Sequence, residues 1–217
     1  MSGSRVARCA AVLVAVLCFA SMAFAQDRFT LTGANPNGNA NGDVYVSPYT
    51  ATITSGRSTL YSGEVICDDF EDEVTVGESW YVSPSPASAV TSGLFANQAD
   101  YDAVAWLAMQ LVALPLTDAT DQAIYSYAIW TIFDPTAINS YVGNTSDVTN
   151  LINEALSQNY SGAGVTVWTP TSWTSAGRPQ EFLTVQTPEA SLLASLAIDL
   201  SAVVGLVFLM RRRLVRT

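Results

Sequence analysis

The first half of the chain alternates apolar and polar positions in short runs that turn residues separate. Three such runs are residues 43–54, 58–70 and 73–82. A period of two is typical of strands, because successive side chains then point to opposite faces. Ser55-Gly56 is the predicted turn between the first two runs. The third run is a strand pair or one strand bent at Gly77, and Pro84 and Pro86 are expected to end it because proline cannot donate to a ladder.

The period changes to that of a helix after Asn97. Three helices are predicted: residues 98–113 with Asn97 as cap, a second that begins at Asp118 or Thr120, and a third capped near Ser146. The second helix is apolar on nearly every side, which predicts that it is buried. Asp134-Pro135 is expected to end it, since the residue before a proline disfavours the helical conformation.

Strand character returns in the last part of this region, at residues 164–170 and 181–187. The Gly- and Asn-rich run NPNGNANG, residues 35–42, is predicted to be a loop. Strands, then helices, then strands predict an α+β domain, with a β-sheet, small barrel or sandwich and a helical insertion.

Composition excludes several kinds of chemistry. The 217 residues contain no histidine and no lysine, so there is no imidazole base, no imidazole metal ligand and no lysine amine. Residues 26–187 contain three arginines and seventeen acidic residues. This charge repels phosphate backbones and argues against nucleic-acid binding. We expect no cofactor and no enzymatic activity; a glycan hydrolase that uses carboxylates is the alternative.

The N-terminus has the pattern of a secretory signal peptide over residues 1–25. Arg5 and Arg8 precede an apolar stretch at residues 10–20, and Ala23-Phe24-Ala25 forms the small-residue cleavage site. Two of the three cysteines lie in this segment, so the exported chain would hold Cys67 alone. A single thiol cannot form an internal disulfide. Cys67 is therefore a buried small side chain, or it forms a disulfide with another molecule, or its thiol has a reactivity of its own.

The C-terminus combines three features within the last thirty residues. Pro188-Glu189-Ala190 precedes an apolar stretch at residues 192–210, which Asp199 interrupts and which Arg211, Arg212 and Arg213 follow. The stretch is long enough to cross a membrane as a helix. The arginines predict a cytoplasmic C-terminus with the domain outside. A permanent single-pass anchor is one interpretation.

This arrangement also resembles the PEP-CTERM sorting signal of bacterial exported proteins, with Ala190 where that family has a second proline. The resemblance implies that an exosortase recognises residues 187–217 at the membrane. It further implies release of residues 26–186, the exported domain, to the cell surface or to an exopolysaccharide matrix. An exosortase, the membrane and an exopolysaccharide or another surface component are therefore the expected partners.

Short motifs within the predicted domain are similar to thioester domains of bacterial surface adhesins. They are residues 44–49, Ile66-Cys67-Asp68-Asp69-Phe70, Ala105-Trp106-Leu107 and Ala128-Ile129-Trp130. In that family a cysteine joins a glutamine four residues before the tryptophan, and this resemblance makes Cys67 the candidate thiol. Ser126 occupies the glutamine position and has no carboxamide, whereas Gln122 lies one helical turn earlier on the same face. The resemblance is therefore better evidence for the fold than for a thioester bond.

The acidic run after the candidate thiol has two interpretations. Asp68, Asp69, Glu71 and Asp72 could supply carboxylate oxygens to calcium. The alternative is a solvated acidic turn. The favoured overall function is that of a non-enzymatic cell-surface or extracellular-matrix protein, sorted and processed through its tail. The alternatives are a covalent adhesin with a Cys67 thioester and a permanently anchored surface protein.

Overall fold

A computed structural model describes residues 26–95, 97–175 and 177–186. The predicted signal peptide at residues 1–25, the sorting motif at Pro188, the span at residues 192–210 and the final arginines lie outside the described residues. Within the described part, no helix combines the length and the apolar character that crossing a membrane requires.

In the part of the chain that the structure describes, eight strands form a closed barrel and a small separate ribbon. They are β1 Asp27–Gly33, β2 Ala40–Asn41, β3 Val44–Tyr45, β4 Tyr49–Ser55, β5 Ser58–Cys67, β6 Ser79–Pro86, β7 Val165–Pro170 and β8 Phe182–Val185. The barrel has the order β1-β4-β5-β8-β7-β6 with antiparallel neighbours, while β2 pairs with β3. Closure gives each barrel strand two neighbours, although β5 before Ile66 and β6 after Val82 pair on one side only. Of the predicted alternatives, the α+β class with a small barrel is confirmed.

Aromatic side chains fill the barrel interior. The ring of Phe29 on β1 stacks on Trp80 of β6 and on Phe182 of β8, with ring centroids 4.8 and 4.9 Å apart. Ala51 and Ile53 of β4 point inward as well, and both are buried. Alternation along each strand therefore produces a packed core that joins strands distant in sequence.

Among the described residues, three α-helices follow β6: α1 Gln98–Leu111, α2 Ala119–Phe133 and α3 Thr145–Ser157. Asn97 caps α1 by accepting from the Ala99 N–H at 3.1 Å, and Asp118 caps α2 by accepting from the Asp121 N–H at 3.2 Å. The predicted Asn97 cap is confirmed, and of the two predicted starts of the second helix, Asp118 is the cap. Asn144 caps α3, two residues before the predicted Ser146, through the Ser146 N–H.

The helices cover only one side of the barrel. Phe182 of β8 packs inside, whereas Leu183 and Val185 belong to the core shared with the helices. β8 is therefore buried on both faces. The outer side chains of β1, β4 and β6 remain partly or fully open to solvent. The barrel therefore has an inner junction, where β8 and its neighbours meet the helices, and an outer wall, which faces solvent.

The predicted strands differ from the structure at several points. In the predicted run 73–82, residues 73–78 precede β6 and do not form a strand. β1 is not among the predicted strands, although Phe29 and Leu31 alternate with polar residues as a half-buried strand requires. The predicted run 43–54 is divided between β3 and β4. The interruption arises because the buried Ser47 N–H donates to Ser126 on α2 rather than to a neighbouring strand.

The prediction that Pro84 and Pro86 end a strand is wrong. β6 begins at Ser79 and includes both prolines, which pair with β7. The pairing of β6 with β1 ends at Val82, which lies opposite Asp27. Beyond Val82, β6 therefore has a strand on one side only, and a missing N–H on the other side costs no ladder bond.

Gly162, between α3 and β7, offers a test of close packing onto the short turn at residues 87–89. It has φ +67°, and a Cβ there would lie 2.7 Å from the Ala87 carbonyl carbon and the Ser88 nitrogen. Gly38 has φ +70° but nothing within 4 Å of a Cβ. We expect Gly38→Ala to cost about 1–2 kcal/mol of unfolding free energy, and Gly162→Ala about 1–3 kcal/mol more. Urea unfolding measures both, and equal losses would contradict the close approach.

Candidate functional site at the ends of β5 and β8

Cys67 is the last residue of β5 and is wholly buried. Its thiol is 3.1 Å from the Asp69 carbonyl oxygen, to which it donates. Its carbonyl oxygen accepts from the Trp130 indole N–H at 2.9 Å. Trp130 belongs to α2, so this hydrogen bond joins the end of β5 to the buried helix.

Ser47 connects Cys67 to the position that the thioester resemblance assigns to glutamine. The Cys67 N–H donates to the Ser47 hydroxyl oxygen at 3.1 Å, and the Ser47 N–H donates to the Ser126 hydroxyl oxygen at 3.0 Å. The structure thus brings Ser126 and Cys67 to the same junction, with Ser47 between them. A serine here serves as a hydrogen-bond acceptor for the backbone.

Gln122 is buried, and its amide bonds elsewhere. Its side-chain oxygen accepts from the Asn35 and Asn39 amides at 2.9 and 2.8 Å, and its nitrogen donates to the Pro115 carbonyl at 3.3 Å. These contacts fasten the loop after β1 to the start of α2. The amide is occupied in holding this loop and takes no part in the hydrogen bonds of Cys67.

The environment of the thiol keeps it protonated. Burial raises the pKa of Cys67 well above its usual range, and the carboxyl groups of Asp69 and Asp68 raise it further. The thiolate is the nucleophilic form of cysteine. In the folded state Cys67 therefore has the chemistry of a small buried apolar side chain.

Asp68 and Glu181 form a buried carboxyl pair beside Cys67. Both side chains are wholly buried, and the Asp68 N–H donates to the Glu181 carbonyl at 3.4 Å. The Glu181 carboxylate accepts from Tyr101 at 2.6 Å, Thr169 at 2.5 Å and the Leu94 N–H at 3.1 Å. Neither carboxyl oxygen of Asp68 receives a hydrogen bond from a donor group.

This difference in donors decides which member of the pair holds the proton. Burial raises the pKa of Asp68 well above its usual range, and the neighbouring Glu181 and Asp69 carboxyls raise it further. Burial raises the pKa of Glu181 also, but the hydrogen bonds from Thr169 and Tyr101 oppose that rise. Asp68 is thus the acid, able to donate to the Glu181 carboxylate.

The rest of the acidic run folds into a turn. One Asp69 carboxyl oxygen accepts from the backbone N–H groups of Glu71 and Asp72 at 3.1 and 3.3 Å. Burial and the nearby Asp72 raise the pKa of Asp69 to about 7. Asp72 itself forms a salt bridge with Arg178 at 2.5 Å. The four candidate calcium ligands therefore contact different partners.

Among the described residues, no group of three or more carboxylates or thiols is arranged to hold a metal. The solvated-turn interpretation is wrong for Asp68 and Asp69, which are buried, and applies to Glu71, which is exposed. The reason is that Asp68 directly follows the inward-facing Cys67, so it enters the layer between barrel and helices.

Glu181 and Tyr101 are the residues that the sequence does not indicate as part of the site. Glu181 is simply the first residue of a predicted strand, and Tyr101 is one apolar position of α1. The available signal was an acidic side chain immediately before an apolar run, Phe182-Leu183, which the structure shows to be buried. Its partners come from four other segments of the chain, so no local pattern identifies them.

A separate cavity of about 310 Å³ lies between the β2–β3 ribbon and the N-termini of α2 and α3. Asn41, Tyr141, Asn144 and Asp147 contribute to its lining. Asn41 bonds the backbone of Val142 at 2.7 and 2.9 Å, and Asn144 bonds Asp147 at 3.1 Å. These polar groups hold the cavity wall together.

Comparisons with known proteins reveal one structural similarity. No protein-family model matches the chain, and no curated protein matches it by sequence. Among solved structures, the N-terminal thioester domain of the protein F2 like fibronectin-binding protein from Streptococcus pneumoniae is similar, with 10% identity and a TM-score of 0.40. The match covers 74% of this chain and 93% of that one. A similarity of this degree assigns no function.

The buried thiol leads to a first prediction for this site. In the full chain with Cys9→Ser and Cys18→Ser, we expect a thiol reagent to modify Cys67 roughly a hundredfold more slowly than in urea, because modification requires opening of the fold. Absorbance of the released thiol-reagent product measures the rate, and Cys67→Ala is the control. Rapid modification of the folded protein, or no titratable thiol in urea, would contradict the assignment.

The carboxyl pair predicts a dependence of stability on pH. The folded-state pKa of Asp68 lies above its unfolded value, so its stabilisation is present at low pH and is lost as pH rises through the folded value. Asp69, with a pKa of about 7, acts in the same direction. We expect the wild-type free energy of unfolding to fall between about pH 5 and pH 9.

Asp68→Asn tests this assignment, because asparagine retains a donor for Glu181 and has no proton to lose. Urea titrations should show a smaller decline for this variant, with the part due to Asp69 remaining. Glu71→Gln, an exposed change in the same turn, should follow the wild-type curve. Parallel curves for wild type and Asp68→Asn would disprove the role of Asp68.

Proposed function

We propose that the protein is an exported, non-enzymatic component of the cell surface or extracellular matrix, whose domain binds its partner without a covalent bond. The observation that carries the non-covalent part is the hydrogen bond from the Ser47 N–H to Ser126. Ser126, which occupies the position where thioester domains have the glutamine, thus holds the backbone beside Cys67. The thiol beside it is buried and protonated.

Export and sorting rest on the two ends of the sequence. The signal-peptide pattern of residues 1–25 and the PEP-CTERM-like tail of residues 187–217 support a route through the membrane to the surface. An exosortase-type enzyme would process the tail, and an exopolysaccharide or another surface component would retain the released domain. The membrane would be a partner only while residues 192–210 remain attached.

The physical properties of the domain suit this environment. Its closed barrel gives each strand two neighbours, which limits the length of strand edge open to pairing with other chains, and its acidic surface favours solubility. The absence of histidine and lysine supports a non-enzymatic role. The Asp68–Glu181 pair is enclosed between barrel and helices, so it offers no carboxyl group to a glycan chain.

The decisive experiment is the intact mass of the protein recovered from cells and from their matrix. We expect an N-terminus at Gln26, a C-terminus near Pro188 and otherwise the mass that the sequence gives. The mass shows both ends and any internal bond in one measurement. Loss of one ammonia would instead support the thioester, and a membrane species that retains Arg216 would support the permanent anchor.

Two variants give this measurement a matched control. Replacing Pro188 and Glu189 by alanine should leave the tail attached and the protein in the membrane fraction. Glu64→Gln, which also removes an acidic group but lies in β5, should be processed like wild type. Equal processing of both variants would argue against recognition of the Pro-Glu motif.

A further inference from the structure

The outer wall of β1, β4, β6 and the first half of β5 is the side of the barrel that the helices leave open. Hydroxyl groups cover much of it: Thr30 and Ser79 are 2.8 Å apart, Thr32 and Thr50 are 3.1 Å apart, and Thr52 and Ser62 are 3.4 Å apart. The wall carries its few charges at its two ends.

Positive charge gathers at one end of this wall. Arg28 on β1 lies opposite Thr54 of β4 and Tyr81 of β6, and Arg57 is in the turn that joins β4 to β5. Both arginines are exposed. Among the described residues, the arginine that forms a salt bridge is Arg178. The guanidinium groups of Arg28 and Arg57 therefore keep their donors available. Asp27 is the nearest acid in sequence, and it is half-buried.

Two exposed aromatic rings lie at the same end. Tyr81 is 42% exposed and is a cross-strand neighbour of Arg28, which places their Cβ atoms about 5 Å apart. Trp173 is 78% exposed in the loop after β7. An indole this accessible does not serve the core, and aromatic side chains of this kind supply much of the binding energy at interfaces.

Hydrogen bonds hold the Trp173 loop against β6. The Thr171 N–H donates to the Tyr81 carbonyl at 2.8 Å, and the Tyr81 N–H donates to the Ser172 hydroxyl oxygen at 2.9 Å. Beyond Trp173, the Thr174 N–H donates to the Gly177 carbonyl at 2.9 Å. The indole is therefore presented on an anchored loop, which lowers the entropy lost on binding.

We propose that Arg28, Arg57, Tyr81 and Trp173, here called the arginine–aromatic end, bind an acidic polysaccharide whose carboxylates are separated by neutral sugars. The apolar C–H face of a sugar ring can stack on an indole, and a guanidinium binds a carboxylate through paired N–H donors. The hydroxyl groups of the wall can bond the neutral sugars that follow. The proposal rests on the proposed matrix function and adds the chemistry of the partner.

Charge density favours this partner over a nucleic acid. Duplex DNA carries a charge about every 1.7 Å, and the acidic remainder of the domain would repel such a polyanion. A polysaccharide with widely spaced carboxylates can place one at the arginines. Its neutral sugars then lie along the wall, toward Glu64 and Glu78 at the opposite end.

Binding of the full chain, in mild detergent, to immobilised gellan tests the proposal, since the uronic acids of gellan are separated by neutral sugars. We expect retention on gellan, little on neutral dextran, and weaker retention as salt rises. Arg28→Gln with Arg57→Gln, and separately Trp173→Ala, should each weaken binding about tenfold or more, the factor that corresponds to about 1.4 kcal/mol. Two control variants should bind within about twofold of wild type. They are Tyr45→Ala, which removes an exposed ring on β3, and Glu64→Gln.

Each outcome decides the proposal. Absence of gellan binding, unchanged binding by either arginine–aromatic variant, or equal retention on dextran would overturn it. Stronger binding to polyglutamate or to single-stranded DNA than to gellan would assign the surface to another class of partner. Equal urea midpoints for all variants exclude unfolding as the cause. Wild-type protein found in the matrix without gellan binding would defeat this inference alone, whereas protein retained in the membrane by its tail would defeat the proposed function.

Discussion

The buried carboxylate of Glu181 is the constraint on which the arrangement of barrel and helices depends. A charge removed from water is costly unless hydrogen bonds compensate it. Here the compensation comes from Tyr101 on α1, Thr169 on β7 and the Leu94 backbone, and Asp68 lies alongside as the protonated partner. Each donor belongs to a different segment, so the barrel wall, α1 and the preceding loop must meet at one place.

The same junction explains why Cys67 is an interior residue. Asp68 can reach Glu181 only if β5 continues beside β8, which turns the Cys67 side chain into the barrel core. Trp130 and Ser47 then complete the hydrogen bonds of the Cys67 backbone. The chemically reactive groups are thus enclosed, whereas Trp173 and two arginines are exposed at the arginine–aromatic end.

Local sequence rules work well where a structure depends on neighbouring residues. Asn97 and Asp118 cap helices as predicted, because a side-chain oxygen and the first helical N–H groups are always close. Such rules fail where a distant strand decides. Pro84 and Pro86 are tolerated in β6 only because β1 stops pairing at Val82, and the strand near Ser47 breaks because α2 takes its N–H.

The sequence by itself determines the α+β class, the places of the helices, the lack of imidazole and lysine chemistry, and the motifs at both ends. These properties depend on composition and short-range periodicity. Only the tertiary structure decided that Asp68 is a buried acid while Glu71 in the same run is exposed, that Ser126 holds Ser47, and that Arg28 lies beside Tyr81. The reason is physical: protonation, burial and surface character depend on which groups meet, and the barrel brings together residues far apart in the chain.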